Sequence, residues 1–185
     1  MTAMLQQAQD LREEGCALYR LLEPLSGGDW ERPTLFKDWT SNDIIQHLHS
    51  SDERAVASIS DPVLFDTLVE RMRAMRAPGR SRLEETRKYF GALKGRRLLD
   101  DWYRQLGALC DLVAGLSPDA RLKWSGPSMG ARSFTSARQM EVWAHGQAIY
   151  DLLHVDRAPT DRLRNIAELG VRTFGCKATR QIFVE

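Results

Sequence analysis

The sequence contains no apolar run approaching the roughly 20 residues that a membrane-spanning helix needs. Its first ten residues, Met1 to Asp10, are polar and lack the apolar core of a secretory signal. Cysteine is scarce: Cys16, Cys110 and Cys176 are three in number, far apart, with no Cys-x-x-Cys pair. An odd, scattered set argues against a disulfide framework and points to reduced thiols in the cytoplasm. Charge of one sign is lacking too, since 26 Lys and Arg nearly cancel 25 Asp and Glu. The resulting +1 leaves no electrostatic footprint for nucleic acid or an anionic membrane. The local group Lys94, Arg96 and Arg97 reads as a solvated loop. No internal repeat, low-complexity tract or run of strands is present, and the glycines near Trp124 to Gly130 form no Gly-x-Gly-x-x-Gly pattern, which argues against nucleotide binding.

What is present is a series of helical periodicities. From Met4 to Leu25, residues such as Leu5, Ala8, Leu11, Leu18, Leu22 and Leu25 recur with mostly helical spacing, and Ser26-Gly27-Gly28 provides a stop. Trp30 to Trp39 forms a loop. Thr40-Ser41-Asn42-Asp43 then reads as a helix start close to a capping box. Helices are also expected from Asp61-Pro62 to about Met75, from Arg82 towards Leu93, from Leu98 to Leu116, from near Ser133 to about His154, and from Asp161 to Phe174. Trp124 to Gly130 is a turn-rich loop. Four main helices with connecting pieces imply an all-α fold, with a helical bundle as its natural architecture.

Three residues break the apolar pattern. The helix after Ser133 carries a stripe through Phe134, Ala137, Glu141, Ala144, His145, Ala148 and Leu152, so Glu141 and His145 adjoin one turn apart where apolar residues belong. His47 repeats the anomaly on the second helix, three after Ile44 and beside Leu48. A carboxylate on a buried stripe is costly unless paired or coordinated. A divalent cation bound by His47, Glu141 and His145 would satisfy all three and leave a coordination position open, the pattern of a catalytic site. Zinc, nickel and iron(II) all suit two imidazoles and a carboxylate. Spacing alone leaves open a metal-free pair in the core.

The stretch Lys37-Asp38-Trp39-Thr40-Ser41-Asn42-Asp43-Ile44-Ile45-Gln46-His47-Leu48 resembles the Trp-Thr-x-x-Asp-Val-Val-x-His-Leu signature of the DinB-like metalloproteins. More narrowly, it is similar to the metal-binding domain of mycothiol-dependent maleylpyruvate isomerase and its relatives, as are Trp124 to Met129 and Arg138 to Gln147. The resemblance implies an up-and-down four-helix bundle with extra short helices and a C-terminal extension. It puts the metal triad on His47, Glu141 and His145, with zinc as first choice. It also implies a mycothiol-type thiol and an electrophilic small molecule as partners, in a transferase or isomerase reaction; a homodimer is open.

Two departures favour an alternative, a non-catalytic metal-binding or stress-associated module. Relatives usually carry an acidic residue directly after the position of Gln147, where this sequence has Ala148; Asp151, one turn further, is the candidate replacement as an outer partner. Relatives also continue into a small α+β domain. On this reading residues 1–158 are the metal-binding bundle, and 159–185 are a helix and the remnant of a truncated second domain, with Gln181 to Glu185 as its first strand.

Of the remaining residues, His49 is expected on the solvent side and His154 as a helix C-cap favoured by the dipole. Trp39, Trp102, Trp124 and Trp143 are expected as core and loop anchors. Arg132 and Arg138 are expected as surface residues, with an anion-receiving role at the site mouth as the sharper alternative.

Overall fold

The computed structural model describes residues 3–75, 78–79 and 81–174, and among these the fold is all-α with one two-stranded ribbon. The helices are α1 (Ala3–Leu22), α2 (Ser41–Ser60), α3 (Pro62–Met75), α4 (Arg82–Phe90), α5 (Gly95–Ala114), α6 (Ala131–Leu153) and α7 (Leu163–Phe174), with a short 3-10 turn at Gly27–Glu31. The ribbon pairs β1 (Arg121–Leu122) antiparallel to β2 (Met129–Gly130), so the turn-rich segment between them is the tip of a hairpin. The expected strand at Gln181 to Glu185, and Cys176, lie outside the described residues.

The four long helices enclose the core. α1 packs on α5 and α6, and α2 packs on the same two. Leu11, Leu18 and Leu22 of α1, Ile44, Ile45 and Leu48 of α2, Leu98, Trp102, Leu106 and Leu109 of α5, and Phe134, Val142 and Ile149 of α6 are buried together. A satellite cluster of Ala57, Phe65, Leu68 and Val69 seats α3 on α2. The α6–α7 connection is tied to α1 through Glu14, whose carboxylate accepts from Arg157 Nη2 at 2.5 Å and Arg162 Nε at 3.2 Å.

Several boundaries follow from side chains distant in sequence. The expected helix at Leu98 begins three residues earlier, at Gly95, because Asn42 Oδ1 accepts the Gly95 N–H at 2.7 Å. That cap comes from α2 and satisfies a donor that the helix start otherwise leaves open. Gly95 has φ +59°, a conformation that glycine alone adopts without penalty. Lys94 and Arg96 therefore stand at the start of α5 and not in a loop: Lys94 bridges Glu31, and Arg96 bridges Asp100 and Glu23. α1 ends at Leu22, short of Leu25, since Ser26 and Asp29 start the 3-10 turn that brings buried Trp30 to the core.

Candidate metal centre

α2 opens on a complete capping box. Thr40 Oγ1 accepts the Asp43 N–H at 3.2 Å, and Asp43 Oδ2 accepts the Thr40 N–H at 2.8 Å. Arg87 of α4 grips the same carboxylate with two bonds of 2.7 Å. Burial works to raise the Asp43 pKa, but the bonds from Arg87 and Thr40 prevail and hold it below its ordinary value. This fixed start places His47, one turn further on, between fully buried Ile44 and Leu48 at the edge of the core.

On α6 the expected stripe is rotated by about one residue. The core face runs through Phe134, Arg138, Val142 and Ile149, whereas Ala144 is exposed and Glu141 and His145 stand at the boundary. The reason is polar: Arg138 and Gln139 occupy buried positions, which blurs the apolar periodicity of this helix. Glu141 and His145 thus face α2 from the rim of the core.

The three side chains converge. His47 Nε2 lies 2.9 Å from Glu141 Oε2, and His145 Nε2 lies 3.4 Å from the same oxygen. One candidate ligand atom from each residue falls within 4.8 Å of the others. Side-chain exposures of 14%, 30% and 16% for His47, Glu141 and His145 leave the cluster partly accessible from outside the core. Tetrahedral ligands about 2.0–2.1 Å from zinc sit roughly 3.3 Å apart, so the donor set fits a small divalent ion with modest side-chain adjustment.

The electrostatics agree with that fit. Burial pushes His47 down to about 4, against the opposing pull of Glu141. Burial alone would raise the Glu141 carboxyl, yet the bonds from His145 and His47, with the charge of Arg138, hold it well below the usual range. At neutral pH His47 is a neutral imidazole and Glu141 a carboxylate, the states a cation requires.

An aromatic wall stands over the imidazoles. Trp39 N–H donates to Phe36 O at 3.0 Å and Thr34 N–H to Trp39 O at 2.8 Å, with Pro33 bridged to Thr40. Lys37 and Asp38, at φ +53° and +56°, form the mirror-image two-residue turn between them. The turn lays Trp39 parallel to His145 at 5.8 Å and 4°, with Phe36 edge-on to the same ring at 5.2 Å. Trp39 is also 5.5 Å from His47. Beyond anchoring a loop, Trp39 therefore packs on both imidazoles.

Other expectations are corrected by long-range partners. Arg138 is not a surface residue: with Asp52 of α2 it forms an ion pair buried on both sides, Nε donating to Asp52 Oδ1 at 3.0 Å. Its Nη2 lies 2.9 Å from the same oxygen without hydrogen-bond alignment. Trp102 Nε1 donates to the other carboxylate oxygen at 3.0 Å. The signal was in α2, where Asp52 sits four residues after Leu48 on the core face. His49 is not on the solvent side: its ring bonds Asp101 at 3.0 Å and rests against Phe90. Asp151 is exposed, accepts from Gln147 and takes no part in the cluster, and Ala148 packs against the core. His154 is the C-cap of α6 through its own backbone, at φ +55°. Arg132 is exposed, as expected.

Residues 11–150 match the mycothiol maleylpyruvate isomerase N-terminal domain family. The chain belongs to this family. It is one of the DinB-like group, and the matched region holds all three converging residues. Two curated members of the similarity group, both uncharacterised proteins from strains of Mycobacterium tuberculosis, are 37% identical over 164 residues. The alignment covers 89% of this chain and 63% of theirs, so the chain spans less than two thirds of the relatives it matches. No solved structure matches it. Among the described residues no helix is long and apolar enough to cross a membrane.

Proposed function

We propose that this family member holds one divalent ion, zinc first with nickel or iron(II) as alternatives, on His47, Glu141 and His145, and that the open side of the centre receives a low-molecular-weight thiol of the mycothiol type. The observation that carries the reading is the meeting of two imidazoles and a carboxylate, from helices far apart in sequence, within 4.8 Å. Bound there, the ion would lower the thiol pKa and hold it as a thiolate for transfer to an electrophile. Glu141 supplies the negative charge of the ligand set, and the buried position of His47 keeps that nitrogen unprotonated. Trp39 stacked on His145 and Phe36 edge-on to it hold the plane of that imidazole. The packing of α1 and α2 each on α5 and α6 supports a four-helix bundle in which α1 and α2 sit across the diagonal, rather than a simple up-and-down succession. The free thiols of Cys16 and Cys110 suit a cytoplasmic setting.

A second reading, a metal-binding module without catalysis, is favoured by one observation. Ala148 packs against the core and Asp151 is turned to Gln147, so neither adds an acidic group to the centre. Both readings require the ion. Metal analysis after incubation with zinc, nickel or iron(II) is expected to give about one ion per chain, with most of it lost in His145→Ala. A wild-type chain that takes up none of the three would sink both readings. Calorimetric titration of a thiol into the loaded chain then separates them.

A further inference from the structure

Glu141 and His145 stand on one helix and keep their spacing by themselves, whereas His47 comes from another. The meeting of the three therefore depends on where α2 lies against α6. These two helices meet less closely than α2 and α5 or α1 and α6 do. One polar bridge across the gap runs from His47 to Glu141, at 2.9 Å. Another is the buried pair of Asp52, five residues after His47, and Arg138, three before Glu141. It crosses about one turn away along both helices. Trp102 of α5 donates to the second Asp52 oxygen and so fixes that carboxylate from a third helix.

Stability alone does not account for this pair. Apolar residues of similar volume are often as stable as a buried ion pair or more so, and Leu48 and Val142 already give this part of the core an apolar character. Apolar contact is non-directional, however, and a helix can slide on it by small amounts at little cost. A metal centre tolerates only about 0.2 Å in its ligand distances. The bond from Arg138 Nε to Asp52 Oδ1 is directional, at 3.0 Å, and both side chains are closed off from water. A slide of α6 along α2 would strand either charge with no water to replace its partner.

We infer that Asp52 and Arg138 are positioning residues for the metal centre: the buried pair sets the register of α6 against α2 at which His47 meets Glu141 and His145. The inference rests on the metal reading above and adds which residues outside the ligand set govern the fit of the ion. As an ion pair the two carry no net charge. Replacing both with apolar residues therefore leaves the charge beside the centre unchanged, and a loss of fit reads as geometry.

The test compares the full-length wild-type chain with Asp52→Leu/Arg138→Met. Zinc affinity is read by competition with a chromophoric chelator, and cobalt(II) in place of zinc reports the coordination geometry through its visible absorption. The double variant is expected to stay folded, to bind zinc about 10- to 100-fold more weakly, the loss that follows removal of groups that orient ligands, and to give an altered cobalt spectrum. A purely structural role would move neither readout in a chain that unfolds cooperatively near the wild-type midpoint. Wild-type zinc affinity, or a wild-type cobalt spectrum, in a folded double variant overturns the inference and leaves the metal reading intact. A wild type that takes up neither ion sinks the metal reading and this inference with it. If the double variant fails to fold, the Arg138 Nε–H resonance of the wild type decides. The same frequency before and after zinc loading shows a pair set in advance of the ion and supports the inference. A resonance that reaches its bonded frequency only with zinc overturns it.

Discussion

Arg138→Met should destabilise the chain more than any other single change near the centre. Arg138 is 2% exposed and Asp52 is fully buried. Removing the guanidinium leaves a buried carboxylate with only the Trp102 indole N–H as partner. Breaking a buried pair from one side costs about 3–5 kcal/mol. For a chain of this size each kcal/mol lowers the midpoint by roughly 2–4 °C, so the expected fall is about 10 °C. The double variant Asp52→Leu/Arg138→Met removes both charges and should recover most of that loss, since apolar replacement of a buried pair is often neutral or better. The assay is thermal unfolding of the chelator-treated chain, followed by circular dichroism, for the wild type, both single variants and the double variant. Acidity adds a second check. Burial raises Asp52 above the ordinary carboxylate range even with Arg138 beside it. Without Arg138 the folded state takes up this proton more readily still, so the deficit of the variant should shrink as pH falls from 7 towards 5. A fall below about 3 °C for Arg138→Met, or a double variant as unstable as the single changes combined, would refute the argument.

Further outcomes follow from the same geometry. His47 has a folded pKa near 4 against 6.5 in the unfolded chain, so the metal-free fold binds fewer protons and should lose up to roughly 3 kcal/mol as pH drops from 6.5 to 4; thermal midpoints against pH, with His47→Gln flattening the curve, measure it. Replacing Lys37-Asp38 by Asn-Gly, the pair that suits a mirror-image turn, should raise stability by about 1 kcal/mol by relieving the left-handed strain at φ +53° and +56°; denaturant unfolding checks this, and a loss of stability would show that the two side chains do more than tolerate the turn.

Much of the helical frame was legible because its signals are local. The Thr40 and Asp43 box, the Asp61-Pro62 start and the apolar spacing of α5 each lie within a few residues of the structure they specify. The place of His47 was legible for a different reason, a polar residue between the buried Ile44 and Leu48, whereas Glu141 and His145 were read onto an apolar stripe and stand instead at the rim of the core. What could not be read depends on partners far along the chain. Arg138 looks like a surface residue until Asp52, 86 positions away, meets it in the core. His49 looks exposed until Asp101 of α5 takes its ring nitrogen. The start of α5 depends on Asn42, 53 residues upstream. The rotated stripe of α6 has the same origin, because a helix that buries Arg138 and Gln139 no longer announces its inner face by hydrophobicity.

The candidate ligands are divided between two distant parts of the chain, 94 positions separating His47 from Glu141. During synthesis the first imidazole leaves the ribosome long before the other two groups exist, and alone it is a feeble trap for any cation. The full set comes into being only when α6 docks, so capture of an ion would be a late event and a report that the fold has closed. Whatever ion is held would in turn favour the closed chain by mass action, about 2.7 kcal/mol when its free concentration is a hundred times the dissociation constant. Cells starved of that ion would then carry a chain that is easier to open and easier for proteases to remove.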